Sequence, residues 1–227
     1  MAFPCCCCSW FSVAGEEREP LNIQHPNKCR ESNRTAGFSK DKPLTVKRVN
    51  MPEIDTLFDN IAETFNKQQG NCLALWEAIQ GLKKVYNCSP ASYLSVCMEK
   101  IQQEHSDYSV QVHMEGYRFG LNVGDKEIPE QLKQAQEQVG ELNRATIGII
   151  SSHTKLQEMI HSVLQSQDKL RERIKVTNSE HLDWIRLEGN LTENIEKIRL
   201  AEQFSKQYKE EANGVLREMS KSAGLAS

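Results

Sequence analysis

The feature that most constrains this chain is a repeat of apolar residues in its C-terminal part. From Leu132 to Ile198, residues taken in alternating steps of three and four are mostly apolar, over about nine heptads. Because a helix brings residues three and four apart onto one face, this repeat predicts a coiled coil or a long helical hairpin. The predicted seam consists of Leu132, Ala135, Val139, Leu142, Thr146, Ile149, His153, Leu156, Ile160, Val163, Gln167, Leu170, Ile174, Thr177, His181, Trp184, Glu188, Leu191, Ile195 and Ile198.

Two arrangements of residues 130–220 fit this repeat. Pro129 is the last proline, so no proline interrupts a helix beyond it. One arrangement is a continuous rod, about 135 Å long at a rise of about 1.5 Å per residue. The other is an antiparallel pair that folds back at the polar residues 177–179. After Ile198 the phase slips by three and the stripe resumes at Ala201, which predicts overwinding or a bend at that point.

Besides two threonines, the predicted seam contains four strongly polar residues, namely His153, Gln167, His181 and Glu188. Polar residues in a seam lower stability but set the register and the number of helices. Protonation of the two histidines would also make assembly sensitive to pH between about 6 and 7. The simpler interpretation, which we favour from the sequence, places all four at loose or unpaired layers. We expect this segment to join protein partners as a homo- or hetero-oligomer.

Residues 51–126 carry shorter patterns that predict a small α+β unit. Apolar residues at helical spacing predict three helices, the first starting at Pro52 and the third at Ser89-Pro90. Gly70, followed by an asparagine, is predicted to end the first helix and separate it from the second.

A β-hairpin is predicted at the end of this unit. Apolar and polar residues alternate over 108–114 and again over 117–123, with Glu115 and Gly116 between them. Period two on both sides of a short link that contains glycine is typical of a hairpin. Since an isolated hairpin is marginal in water, we expect its apolar face to pack on the three preceding helices.

Residues 1–50 show no period and carry four of the seven prolines, which predicts a disordered leash. The predicted fold class is therefore mainly α. It comprises a long C-terminal coiled coil or helical hairpin, preceded by a small helical unit with one β-hairpin and by the N-terminal leash.

The N-terminal tip contains four adjacent cysteines, Cys5, Cys6, Cys7 and Cys8, in an apolar stretch. This pattern favours S-acylation, because two or more acyl chains hold a protein firmly on a membrane. Metal binding is a weaker interpretation, since zinc ligands are usually spaced pairs. Redox activity of an isolated C-x-x-C is also weaker, and a tip without a role is the remaining alternative.

Basic residues follow the tip, and only two acidic residues oppose them within the same stretch. Near an anionic leaflet each would add about 1 kcal/mol to membrane binding, although such a run is more often a solvated linker. The net charge of −3 gives no reason to expect nucleic acid binding. The basic residues are Lys28, Arg30, Arg34, Lys40, Lys42, Lys47 and Arg48.

The cysteine distribution, the apolar runs and the short motifs argue against a disulfide-rich protein, a membrane-spanning helix and an enzyme. The other cysteines are scattered, and Cys72 and Cys97 lie in apolar helical patterns, which indicates a reducing compartment. No run of about 20 apolar residues is present. No phosphate loop, zinc-protease motif or nucleophile elbow occurs, so we expect neither an enzyme nor a cofactor or metal.

These patterns together predict a membrane-anchored adaptor or tether, peripheral on a cytosolic membrane face, with a role in membrane trafficking or organelle positioning. Protein partners are expected through the coiled coil, and the membrane surface through the acylated tip. The alternative is a soluble structural subunit of a cytoskeletal or centrosomal coiled-coil assembly, in which the cysteines have no role.

Overall fold

A computed structural model describes residues 42–124, 127–177 and 181–225. The described part is mainly α with two long C-terminal helices and one hairpin, which confirms the predicted fold class. In chain order the elements are α1 (Pro52–Val85), α2 (Leu94–Glu104), a 3-10 turn (Ser106–Tyr108), β1 (Gln111–Glu115), β2 (Arg118–Asn122), α3 (Glu130–Thr177) and α4 (His181–Ser222).

The two C-terminal helices fold back on each other and do not form one rod. His153 Nδ1 in α3 lies 2.9 Å from Ser205 Oγ in α4. Nearer the corner, Gln167 Oε1 accepts a hydrogen bond of 3.1 Å from Arg199 Nη2. Later residues of α3 therefore contact earlier residues of α4, as in an antiparallel pair.

Helix α1 completes a three-helix bundle with this pair. The amide of Gln68 donates to the carbonyl oxygen of Ile149 at 3.1 Å, and that of Gln131 donates to Val85 O at 3.2 Å. Helix α1 thus runs antiparallel to α3, and it also contacts α4. Buried residues of 51–126 and of 130–220 belong to one continuous hydrophobic core.

Helix α1 is continuous, so the predicted break at Gly70 is wrong. Phe65 and Cys72, on either side of it, are both buried. The helix packs on α3 from Glu53, which pairs with Arg173, to Val85, which accepts from Gln131, and it also contacts α4. A mid-helix glycine costs only about 1 kcal/mol relative to alanine, which this packing outweighs.

The variant Gly70→Ala is expected to raise the free energy of unfolding by about 0.5–1 kcal/mol. Gly70 does not have a positive φ, and a Cβ added to it meets nothing within 4 Å. Alanine therefore gains helix propensity without strain. Urea unfolding followed by circular dichroism measures the change. A clear loss of stability would indicate that residue 70 ends a helix after all.

Helix α3 buries the predicted seam face almost without exception. Every predicted seam position from Leu132 to Ile174 is buried except Gln167, which is half-buried. Beyond the corner the register differs, because Leu187 is buried where the seam predicted Glu188. From Leu187 the buried residues of α4 keep one phase, so the predicted slip after Ile198 is wrong.

Helix α2 and the hairpin pack at the end of the bundle opposite the corner. Glu218 of α4 accepts hydrogen bonds from Ser95 N at 3.3 Å and Ser95 Oγ at 2.6 Å, in the first turn of α2. Burial acts to raise the pKa of Glu218, but these bonds and Lys221 outweigh it and hold the pKa below its ordinary value. The helix begins at Leu94, later than the predicted start at residues 89–90.

The predicted hairpin is confirmed, with Val112 paired to Leu121 across the antiparallel strands. Gly116 in the turn has a φ of 58°, a conformation that favours glycine. The hairpin packs mainly on α3 and not on the preceding helices. Asn143 Oδ1 of α3 accepts from Phe119 N at 3.0 Å, and Gln136 Nε2 donates to Leu121 O of β2 at 3.1 Å.

Candidate functional site

Most of the predicted membrane-binding residues lie outside the described residues. These are Cys5, Cys6, Cys7, Cys8, Lys28, Arg30, Arg34 and Lys40. Lys42 is the first described residue, and it is exposed. The last two basic residues, Lys47 and Arg48, lie in a segment that the structure places on the bundle.

Residues 42–51, which we call the strap, run along α1 and α4 without forming a helix or a strand. Leu44 is 2% exposed and Val49 is fully buried, so two apolar side chains anchor the strap in the core. The prediction of disorder is therefore wrong for residues 42–50. The apolar anchors are too few and too irregularly spaced to register as a periodic pattern in the sequence.

Two asparagines hold the backbone of the strap. Asn66 Oδ1 accepts from Leu44 N at 2.6 Å, and its Nδ2 donates to Leu44 O at 3.1 Å. Asn194 repeats the arrangement with Lys47, at 2.8 and 2.7 Å. Each amide thus satisfies both backbone groups of one strap residue, as a neighbouring β-strand would. Asn194 is fully buried.

Three further side chains bind the strap backbone. Asn190 Nδ2 donates to Arg48 O at 2.8 Å, and Lys197 Nζ donates to Thr45 O at 3.0 Å. At the other end, the buried carboxylate of Asp55 accepts from Val49 N at 2.7 Å. The strap therefore runs antiparallel to α4. None of these polar residues was singled out from the sequence, because no local pattern links them to the strap.

The two basic residues of the strap form ion pairs with the bundle. Lys47 Nζ lies 2.6 Å from Glu193 Oε2, and Arg48 Nη1 lies 2.8 Å from Asp59 Oδ2. Hydrogen bonds from Lys47 and Lys197 lower the pKa of Glu193. All these groups are partly exposed, so each pair contributes about 0–1 kcal/mol. The ion pairs partly neutralise the positive charge that the sequence assigned to membrane binding.

A second polar feature links the three long helices at mid-bundle. His153 is 7% exposed and hydrogen-bonds Ser205, whose carbonyl oxygen lies 3.5 Å from the donating amide of Gln68. One polar side chain from each helix thus meets in the core. The interpretation of an unpaired layer is wrong for His153. Paired polar layers of this kind restrict a bundle to one register.

The other polar seam residues lie away from this layer. Gln167 is half-buried and paired with Arg199, so it is not unpaired either. His181 is the first residue of α4. Glu188 is half-buried, beside the buried Leu187. The structure therefore does not bring the four residues together.

The stability of the bundle is expected to fall between about pH 7.5 and about pH 5.5 through His153. Burial and the nearby Lys209 lower the pKa of His153, with Lys206 acting in the same direction, while a hydrogen bond with Ser205 and the charge of Glu202 act against them. The unfolded chain, with a histidine pKa near 6.5, then binds the proton more readily than the folded one. Stability is therefore lost as the pH falls below that value.

The variant His153→Gln isolates this contribution, because glutamine can hydrogen-bond Ser205 without titrating. Urea unfolding of both proteins at the two pH values measures it. The difference in stability between the wild type and the variant should shrink at the lower pH. A constant difference would show that His153 does not contribute to the pH dependence.

The described residues offer limited chemistry for catalysis or metal binding. No group of three or more His, Cys, Asp or Glu side chains that could hold a metal ion occurs among them. Cys72 and Cys97 are buried in the core, as the sequence predicted. No helix in the described ranges is both long enough and apolar enough to cross a membrane.

Comparison with known proteins gives no relative of this chain. No protein-family model, no curated protein and no solved structure matches it.

Proposed function

We propose that this chain is a non-enzymatic, membrane-anchored adaptor or tether. Acyl chains on Cys5–Cys8 attach it to a cytosolic membrane face, and the bundle is presented to protein partners. The observation that carries the proposal is the strap, which joins the cysteine-bearing end of the chain to the folded bundle through backbone hydrogen bonds on two helices. A lipid at the tip would then hold the whole bundle at the membrane.

The length of the leash sets how far the bundle can stand from the membrane. The 33 residues from Ser9 to Asp41 separate Cys8, the last of the four tip cysteines, from the strap. A fully extended chain covers at most about 3.3–3.6 Å per residue, so this leash can span up to about 110–120 Å. Because the strap is bound to the bundle, the leash ends at residue 42. The leash would therefore meet the bundle partway along α1 and α4, near Asn66, and not at the start of α1.

The seam face of α3, where the sequence predicts that partners bind, is occupied within the chain itself. The sequence predicts assembly through the seam, but in this chain α1 and α4 cover the seam face of α3. A partner helix would have to displace one of them. The adaptor role therefore calls for partners on the outer faces of the bundle, where the side chains are exposed.

Replacing all four cysteines by serine is expected to lower membrane association by roughly tenfold or more, because the acyl chains supply most of the binding free energy. Acyl exchange with hydroxylamine on the cell-expressed protein detects the thioesters, and fractionation measures the membrane-bound share. The matched control is Cys29→Ser, which removes one cysteine outside the tip. We expect this control to keep both the mass shift and the membrane fraction of the wild type.

Two results would contradict the proposal. One is a wild-type protein without hydroxylamine-sensitive mass. The other is a quadruple variant that stays on the membrane to the wild-type extent. The absence of lipid together with a detergent-resistant pellet would instead favour a structural subunit of a cytoskeletal assembly.

A further inference from the structure

The strap is bound to the bundle largely through its backbone. At least seven backbone N–H and C=O groups of residues 44–49 bond to side chains of α1 and α4. Contacts of this kind do not depend on which residue carries the backbone group. Where proteins bind linear peptides, such main-chain bonds supply affinity, and pockets for particular side chains supply specificity. The side chains that hold the strap can therefore hold another segment of similar shape.

Four side chains of the strap show which sequence the groove between α1 and α4 selects. Leu44 and Val49 are both buried, so the groove has two apolar pockets for residues five positions apart. Between them, Lys47 and Arg48 pair with one carboxylate on α4 and one on α1. The groove thus accepts an apolar residue, two residues of less restricted type, two basic residues and a second apolar residue.

We propose that the groove between α1 and α4 is a binding site for linear peptide segments of other proteins that carry this pattern. The strap is the built-in ligand of the groove, and a partner segment binds by taking its place. The inference rests on the proposed adaptor role, because it names the class of partner that the bundle holds. The binding itself does not require a lipid anchor.

The strap competes with every partner because it belongs to the same chain. Val49 N donates to Asp55 Oδ1, only six positions away, so the strap folds directly onto the helix that follows it. A segment linked in this way acts at an effective concentration of about 1 mM or more. A free peptide with the same contacts therefore binds weakly until the strap is loosened. The same short connection favours docking on its own bundle over exchange with a second copy.

The test uses the full chain with Cys5–Cys8 changed to serine and a fluorescein-labelled peptide, KPLTVKRVN, which copies residues 42–50. Fluorescence anisotropy gives the dissociation constant. Leu44→Asp places a charge in a buried pocket and should release the strap, so that the peptide binds roughly tenfold more tightly or better. The matched control is Thr45→Asp, which adds the same charge at the neighbouring exposed position. It should bind the peptide as weakly as the unaltered strap allows.

Two further changes locate the peptide in the groove. Asn194→Ala in the Leu44→Asp protein removes an amide that would bind the peptide backbone, and the gain in affinity should be lost. A scrambled peptide of the same composition should not bind. Circular dichroism checks the fold of each protein. If Leu44→Asp does not fold, Lys47→Pro replaces it, because Lys47 has an exposed side chain and proline removes the N–H that Asn194 accepts.

A measurement on the protein with an unaltered strap needs no strap variant. An excess of the peptide, at about 1 mM or more, should speed hydrogen exchange at the Leu44 and Lys47 amides, because it displaces the strap. Unchanged exchange would overturn the proposal. Equal affinity of the Leu44→Asp and Thr45→Asp proteins, binding of the scrambled peptide, or binding that survives Asn194→Ala would do so too. A dimer with exchanged straps, detected by light scattering, would identify a second copy as the partner instead. No membrane is present, so these failures are distinct from a failure of lipid anchoring.

Discussion

Replacing Leu187 by alanine is expected to lower the free energy of unfolding by about 2–5 kcal/mol. Truncating a buried leucine loses its transfer free energy and leaves a cavity that the surrounding helices fill only in part. Leu187 is 1% exposed, and it shares the buried phase of α4 with Leu191 and Ile198. Urea unfolding followed by circular dichroism gives the change.

The matched variant is Glu188→Ala, at the position that the predicted seam placed in the core. Glu188 is half-buried, so its truncation should change the free energy of unfolding by no more than about 0.5 kcal/mol. The predicted seam requires the opposite order of effects. A larger loss for Glu188→Ala than for Leu187→Ala would therefore contradict a register of α4 in which Leu187 is the core residue.

Replacing Asn194 by alanine is expected to lower the free energy of unfolding by about 2–4 kcal/mol, because the N–H and C=O of Lys47 both lose their partner, at about 1–3 kcal/mol for each group left unsatisfied. Asn194 is fully buried, so water cannot readily replace the amide. Hydrogen exchange of the strap amides shows whether the strap has detached, and urea unfolding gives the total change.

The matched variant is Asn190→Ala, one turn earlier on the same helix. Asn190 makes one hydrogen bond to the strap, to the carbonyl oxygen of Arg48, and that bond is exposed. We expect a cost of about 1 kcal/mol or less and little change in exchange at the Lys47 amide. Equal protection of that amide in both variants and the wild type would show that Asn194 does not hold the strap.

Local periodicity was enough to predict the elements whose pattern repeats many times. In α3 the repeat from Leu132 to Ile174 identified the buried face almost residue by residue, since nearly every turn of the helix places an apolar side chain on that face. The hairpin could also be predicted, because apolar and polar residues that alternate on both sides of a glycine such as Gly116 are typical of two paired strands. The site at the strap could not be predicted in this way. In the sequence, nothing distinguishes Asn66 and Asn194 from other polar residues of a helix, because their role depends on the strap lying beside them.

The sequence by itself determined that this chain is helical, which face of α3 is buried, and where the hairpin turns. All three follow from contacts between residues close in the chain. Only the tertiary structure decided that α1 continues through Gly70, that α4 takes its register from Leu187, and that the strap docks. The physical reason is distance along the chain. Lys47 and Asn194 are 147 positions apart, and such a pair exists only after the helices have packed.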